Sequence, residues 1–185
     1  MEEKTVFQGK TKKENEYLIR YPQDGDAPAM CGYINELSKE KTFVRFQGEE
    51  VLLEDETKYL NGQLKKIKDK RTVQLLVFSD NRLVGISAVD LKDKTESHEG
   101  VFGISLSKDF RGEGIGKTLM RLTIGEAINN LPQLQIITLG IFGNNTLAIS
   151  MYKNFGFKEY GRLPKGIFYK GKYIDHIYMY KNVKS

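Results

Sequence analysis

Between a predicted strand and a predicted helix the chain carries Arg111-Gly-Glu-Gly-Ile-Gly116. Three glycines in six residues make a turn that can present successive backbone N–H groups, because glycine enters the left-handed region without a steric penalty. Upstream, Val101-Phe-Gly-Ile-Ser-Leu106 puts Phe102, Ile104 and Leu106 on one face, a strand pattern. Gly103, inside that strand, signals a bulge or a close approach to the backbone. Downstream, apolar residues form two adjacent stripes, Ile115/Leu119/Leu122 and Met120/Ile124/Ala127/Leu131, before Pro132 ends the helix. Two stripes mean burial over a broad face, as for a helix lying on a sheet. Aimed amides and the positive end of a helix dipole together suit a pyrophosphate, and Arg111, Lys117 and the Thr118 hydroxyl can add charge or donors.

Two familiar glycine-rich sites do not fit. A dinucleotide site wants its glycines in the first of several parallel βαβ units, whereas here they follow an antiparallel-looking meander. Gly112-Glu-Gly-Ile-Gly-Lys-Thr118 ends like a Walker loop, but it is one residue short, and no later strand offers a persuasive magnesium-binding aspartate.

At 185 residues the chain has room for one domain, expected over 14–185 behind a loose polar N-terminal arm, 1–13. Tyr17 to Arg20 reads as a strand, and Asp24, Asp26 and Pro28 as a helix start. Ala27, Met30, Cys31, Ile34 and Leu37 follow at helical spacing, and a second helix is marked by Leu53, Thr57, Leu60, Leu64 and Ile67. Phe43 to Gly48, between them, reads as a loop over a pocket. Val73 to Phe78 and Leu83 to Val89 flank a turn at Ser79-Asp80-Asn81 and form an antiparallel hairpin.

The single cysteine, Cys31, excludes an internal disulfide and falls on an apolar stripe. A buried structural thiol is expected there, a nucleophile needing a nearby base as well. The thiol and the absence of a secretory signal suit the cytoplasm, and no apolar run reaches the roughly 18 residues of a membrane span. The net charge of +5 fits nucleic acid, acidic peptides or a polyphosphorylated cofactor alike. The densest basic stretch, Lys65 to Arg71, lies at a predicted helix end, where cations suit the dipole, so nucleic acid is not expected.

After Pro132, Ile136-Ile-Thr-Leu-Gly-Ile-Phe142 fits a buried parallel strand reached through the preceding helix. Asn144-Asn145-Thr146 then supplies capping side chains, and Ala148, Met151, Tyr152 and Phe155 recur at helical spacing before Gly156. The chain closes with a hairpin of Gly166–Tyr169 and Tyr173–Tyr180 around Lys170-Gly171-Lys172.

Arg111-Gly-Glu-Gly-Ile-Gly116, after a strand ending Ile-Ser-Leu, resembles the pyrophosphate-binding motif of the GCN5-related N-acetyltransferases (GNAT) at every defining position. Asn145-x-x-Ala148-x-x-x-Tyr152-x-x-x-Gly156-Phe157, one strand later, looks like that family's second cofactor motif, and the resemblance covers roughly residues 15–182. It implies an α+β fold: a mixed, mostly antiparallel sheet of about six or seven strands, splayed at the cofactor site and flanked by about four helices. It implies acetyl-CoA as cofactor, CoA as product and no metal. Backbone groups of Ile104, Ser105 and Leu106 would pair with the pantetheine. Arg111, Gly112, Glu113, Gly114, Ile115, Gly116, Lys117 and Thr118 would surround the diphosphate, with Asn145 on the pantetheine and Tyr152 at the sulfur. The implied activity is N-acetyl transfer to a primary amine on a protein, a polyamine or an amino-acid-like acceptor. A catalytically weak CoA-binding sensor or interaction module has the same fold and remains the alternative. The family also allows a homodimer.

Such a transfer runs by direct attack of the amine on the thioester once both are held together. The amine must lose a proton, and the departing thiolate benefits from a donor, a role open to the Tyr152 phenol. Some members carry a basic glutamate six residues ahead of the position matching Ile104; here that register lands on His98, with Glu99 adjacent. On the acceptor side, the terminal hairpin and the first helices would wall the site, with Asp175, Glu49, Glu50 and Tyr169 as candidates and His176 structural or exposed. Asp175 is equally open to an ion pair with a hairpin lysine.

Overall fold

The computed structural model describes residues 4–184. Of these, 4–90 and 103–132 form one compact unit, and 91–102 with 133–184 form another.

The first unit is built on strands β1 (Thr5–Lys10), β2 (Glu16–Arg20), β3 (Thr72–Ser79) and β4 (Arg82–Leu91). They pair antiparallel in chain order, with Gly9 opposite Tyr17, Arg20 opposite Leu76 and Leu76 opposite Ile86. Asp80 and Asn81 both take positive φ (49° and 60°), which makes the β3–β4 connection a two-residue turn whose twist matches the strands. β3 is buried on both faces. Helices α1 (Ala27–Lys39) and α2 (Leu53–Lys68) cover one side through Met30, Tyr33, Leu37, Leu60 and Leu64 against Leu76 and Leu83. Helix α3 (Ile115–Asn130) also packs against β3.

Residues 5–10, expected in a loose arm, instead form β1, and residues 1–3 of that arm lie outside the described residues. Asp26 does stand at the start of α1, but its carboxylate makes no cap. It takes a bidentate pair from Arg20 at 2.7 Å and the Gln23 N–H at 2.7 Å, so a largely buried arginine is neutralised where β2 turns into α1. Cys31 is half-buried rather than buried, its Sγ 3.4 Å from the Val51 carbonyl. The α1–α2 connection is tied down by Asn35, which grips both backbone groups of Val51, and by Ser38, which bridges Gly48 and Glu49.

Strand β5 (Glu99–Leu106) runs from the second unit into the first. The second unit continues with β6 (Ile136–Phe142), helix α4 (Thr146–Asn154), β7 (Lys158–Tyr169) and β8 (Lys172–Asn182). Glu99–Val101 pair in parallel with Ile136–Thr138, the crossover expected through α3. β8 pairs antiparallel with β6 on one side and β7 on the other. Ile137, Leu139, Ile141, Ile177 and Met179 form its buried core. β7 starts at Lys158, eight residues before the expected Gly166, and the register slips at Glu159/Gly161 and Leu163/Ile167.

Hydrogen bonding runs in the order β1-β2-β3-β4-β5-β6-β8-β7. This is the mixed α+β fold expected, with eight strands in place of six or seven because β1 joins the sheet. Among the described residues no helix is long and apolar enough to cross a membrane.

Candidate active site

In the first unit, the turn after β5 is shaped by two glycines in the left-handed region, Gly112 (φ 81°) and Gly114 (φ 90°). A Cβ built on either would meet nothing within 4 Å, so backbone conformation, not crowding by the protein, requires glycine there. Gly114 is the N-cap of α3 and offers no side-chain cap, so the first-turn amides of Ile115, Gly116 and Lys117 remain for an external acceptor. Ile115 is fully buried and anchors the helix start, whereas Lys117 is exposed and Thr118 half-buried. Open space over left-handed glycines and bare amides on a helix dipole fit a diphosphate.

Arg111 is spent mainly on holding this turn. Its Nε donates to the Leu106 carbonyl at 2.9 Å and its guanidinium pairs with Glu40 at the end of α1. The other Glu40 oxygen accepts the Lys108 N–H at 3.2 Å. Glu113 pairs with Lys13 at 3.2 Å. Ile104, Ser105 and Leu106 follow the β5 stretch that is registered with β6. The Tyr33 hydroxyl donates to Ser105 Oγ at 2.8 Å, and burial pushes this phenol far above its ordinary value. Tyr33→Phe removes that hydroxyl alone and should lower stability by about 1 kcal/mol, read as a lower urea midpoint at unchanged slope.

In the second unit, α4 carries the other expected residues. Asn145 caps the helix, its Oδ1 accepting the Ala148 N–H at 3.2 Å. Gly156 (φ 85°) closes it, and the Phe157 N–H returns to the Tyr152 carbonyl at 3.0 Å. The Tyr152 ring stands edge-on to Phe102 at 6.1 Å and against Phe157 at 5.8 Å. Burial pushes its phenol up to about 12, so it keeps its proton throughout the neutral range.

The two base candidates differ in freedom. His98 is exposed, and its carbonyl binds the Gln135 N–H. Glu99 is held by Lys92 Nζ at 2.7 Å and Thr138 Oγ1 at 2.6 Å. Burial raises its pKa, but these two donors together outweigh burial and keep the carboxyl below its ordinary range. Asp175 pairs with Arg162 at 3.2 Å and takes the Lys165 N–H, an arginine rather than a hairpin lysine. His176 stacks on Tyr178 at 4.3 Å, and burial lowers its pKa; a Cβ at Gly140 would sit 2.3 Å from its Nε2. Tyr169 is buried edge-on to Phe142, and Glu49 and Glu50 are exposed.

Sequence reasoning passed over Tyr33, Glu40, Lys13 and Lys92. Tyr33 falls on the α1 stripe between Met30 and Leu37, a readable signal of burial. Its partner on β5 is a tertiary fact that no local pattern carries.

The model of the Acetyltransferase (GNAT) family matches residues 30–157. The chain is 33% identical over 107 residues to the L-amino acid N-acetyltransferase AaaT of Escherichia coli (strain K12), a match covering 57% of this chain and 65% of that protein. It therefore spans just under two thirds of that relative's length. The fold matches the crystal structure of a GNAT acetyltransferase from Streptococcus pneumoniae with a TM-score of 0.83 at 24% identity, over 91% of this chain and 99% of that one. It also matches the structure of yncA from Salmonella typhimurium with its cofactor acetyl-CoA, with a TM-score of 0.74 at 13% identity over 91% and 95%. With both sequence motifs in place and its central 128 residues matched by the family model, the chain belongs to the acetyltransferase (GNAT) family.

Proposed function

We propose that this chain is an acetyl-CoA-dependent N-acetyltransferase acting on a primary amine. The observation that carries the reading is the turn at Gly112–Gly114, with left-handed glycines under open space and uncapped α3 amides behind them. Acetyl-CoA supplies the acyl group, activated as a thioester. The amides of Ile115, Gly116 and Lys117 hold the diphosphate, and the backbone of Ile104–Leu106 aligns the pantetheine. Asn145 uses its Oδ1 to cap α4, which leaves its Nδ2 for the pantetheine.

As the amine nitrogen bonds to the acyl carbon and the carbon–sulfur bond breaks, the electron pair goes to sulfur. Tyr152 then delivers its proton there, giving the free thiol, and the tyrosinate regains a proton from water, to which the amine gives up its own. The amine's own proton leaves through water, for which exposed His98 is the better relay. Glu99, held as a carboxylate by Lys92 and Thr138, acts as a fixed negative charge. For the acceptor, the relative named for L-amino acids favours the α-amino group of an amino acid, with protein amino groups and polyamines as the other members of the class. Residues 14–185 are taken to work as one catalytic domain, to which β1 adds a further strand.

Saturating acetyl-CoA should raise the melting temperature by several degrees. An equimolar mixture of L-amino acids should release free CoA thiol, read with a thiol reagent. Stabilisation without turnover across amino acids, polyamines and N-terminal peptides would replace the enzyme by a CoA-binding module. No stabilisation at all would remove the cofactor assignment.

A further inference from the structure

Glu113 is out of place in a turn that binds an anion. It sits between the two left-handed glycines, its side chain only 11% exposed. One carboxylate oxygen is buried with no hydrogen-bond partner, and the other meets Lys13 Nζ at 3.2 Å. A fixed carboxylate at this place opposes a diphosphate by like-charge repulsion.

Lys13 comes from the β1–β2 connection, and that connection is a built turn. Thr11 is buried, and its Oγ1 accepts the N–H groups of both Lys13 and Asn15 at 3.2 Å. The Thr11 N–H donates to the Asn15 carbonyl at 2.9 Å, and the Glu14 N–H to the Thr11 carbonyl at 3.0 Å. The lysine's backbone is thus fixed beside the cofactor turn, so only its side chain has to be ordered to reach Glu113.

We infer that Lys13 is a positioning residue of the CoA site: it neutralises Glu113, so that the turn meets the diphosphate as a set of donors with no net negative charge. The inference rests on the proposed reading of that turn as the diphosphate site. It makes the value of Lys13 conditional on Glu113, which a direct phosphate contact would not be.

The test is a double-mutant cycle with CoA as titrant in isothermal titration calorimetry, using the full chain. At about 0.05 M salt, Lys13→Ala should weaken binding about fivefold, and the loss should shrink at about 0.5 M salt, where exposed charges are screened. In a Glu113→Gln background the same lysine substitution should change the dissociation constant by less than about twofold. Removing Lys13 leaves the Glu113 carboxylate unpaired and should lower the ligand-free melting temperature, so an unchanged far-UV circular dichroism spectrum at the titration temperature separates a binding effect from misfolding. An equal loss in both backgrounds overturns the inference by making Lys13 a direct contact, and so does unchanged binding by Lys13→Ala. If the parent chain binds no CoA, the diphosphate reading fails with it, an outcome distinct from a parent that binds while the cycle is flat.

Discussion

Replacing Tyr152 with phenylalanine should lower kcat for acetyl transfer by about a hundredfold or more, while the dissociation constant for acetyl-CoA should change by less than about threefold. The substitution keeps the ring, so the edge-on contact with Phe102 and the packing against Phe157 survive, and with them the fold of α4. What disappears is the proton. Burial raises the phenol to about 12, so it is fully protonated when the thiolate leaves, and it remains an acid up to pH values well above neutrality. The direction matters for the pH profile. A raised value keeps the acid form present, so the rate of the parent enzyme should rise as the acceptor amine deprotonates and should not fall through loss of the tyrosine proton until about pH 11–12. The variant should show the same rising limb at a far lower plateau. Steady-state kinetics with a thiol-release assay, paired with calorimetry, reads both halves, and a variant with the parent's kcat takes Tyr152 out of the chemistry.

Gly114→Ala should weaken CoA binding by about a hundredfold, for two reasons that add. An L-residue held at φ 90° costs about 1–3 kcal/mol, and the chain can relieve it only by turning the α3 N-terminal amides away. The new methyl also projects into space that no protein atom occupies, the volume assigned to the diphosphate. Gly103→Ala is the matched control: its Cβ also meets nothing within 4 Å, yet its φ is not in the left-handed region, so it lacks the conformational cost. Calorimetric titration of the two variants against CoA separates conformation from crowding, and near-parental affinity in Gly114→Ala would falsify the assignment of the turn.

Much of this was legible because it is local. The helical stripes of Ala27–Leu37, Leu53–Ile67 and Ile115–Leu131, the Asp80-Asn81 and Lys170-Gly171 turns, and the glycine run each depend on neighbours within a few residues. β1 is not legible in the sequence because Thr5-Val-Phe-Gln-Gly-Lys10 is at the margin of the sheet and buries no face, so it lacks a clean two-residue period; its Phe7 ring meets Tyr17 at 5.8 Å. The first half of β7 was hidden by Gly161, Pro164 and Gly166, residues that normally break strands and here coincide with register slips. At the site, residue types were readable and their engagements were not. Nothing near Glu99 in sequence indicates that Thr138 binds it, and Asp26 has the residue type of a cap while serving Arg20.

Tyr33 and Glu40 both reach from α1 to the segment around the end of β5, and they stand seven residues, about two helical turns, apart. A single residue inserted between them would swing one contact by about 100° around the axis relative to the other, so Ser105 and the Arg111 turn could not both be kept. That interval of α1 therefore acts as a ruler of fixed length. The connection after Glu40 is tied back to α1 at Gly48, Glu49 and Val51, so length variation among descendants of this chain should collect ahead of those ties, over residues 41–46.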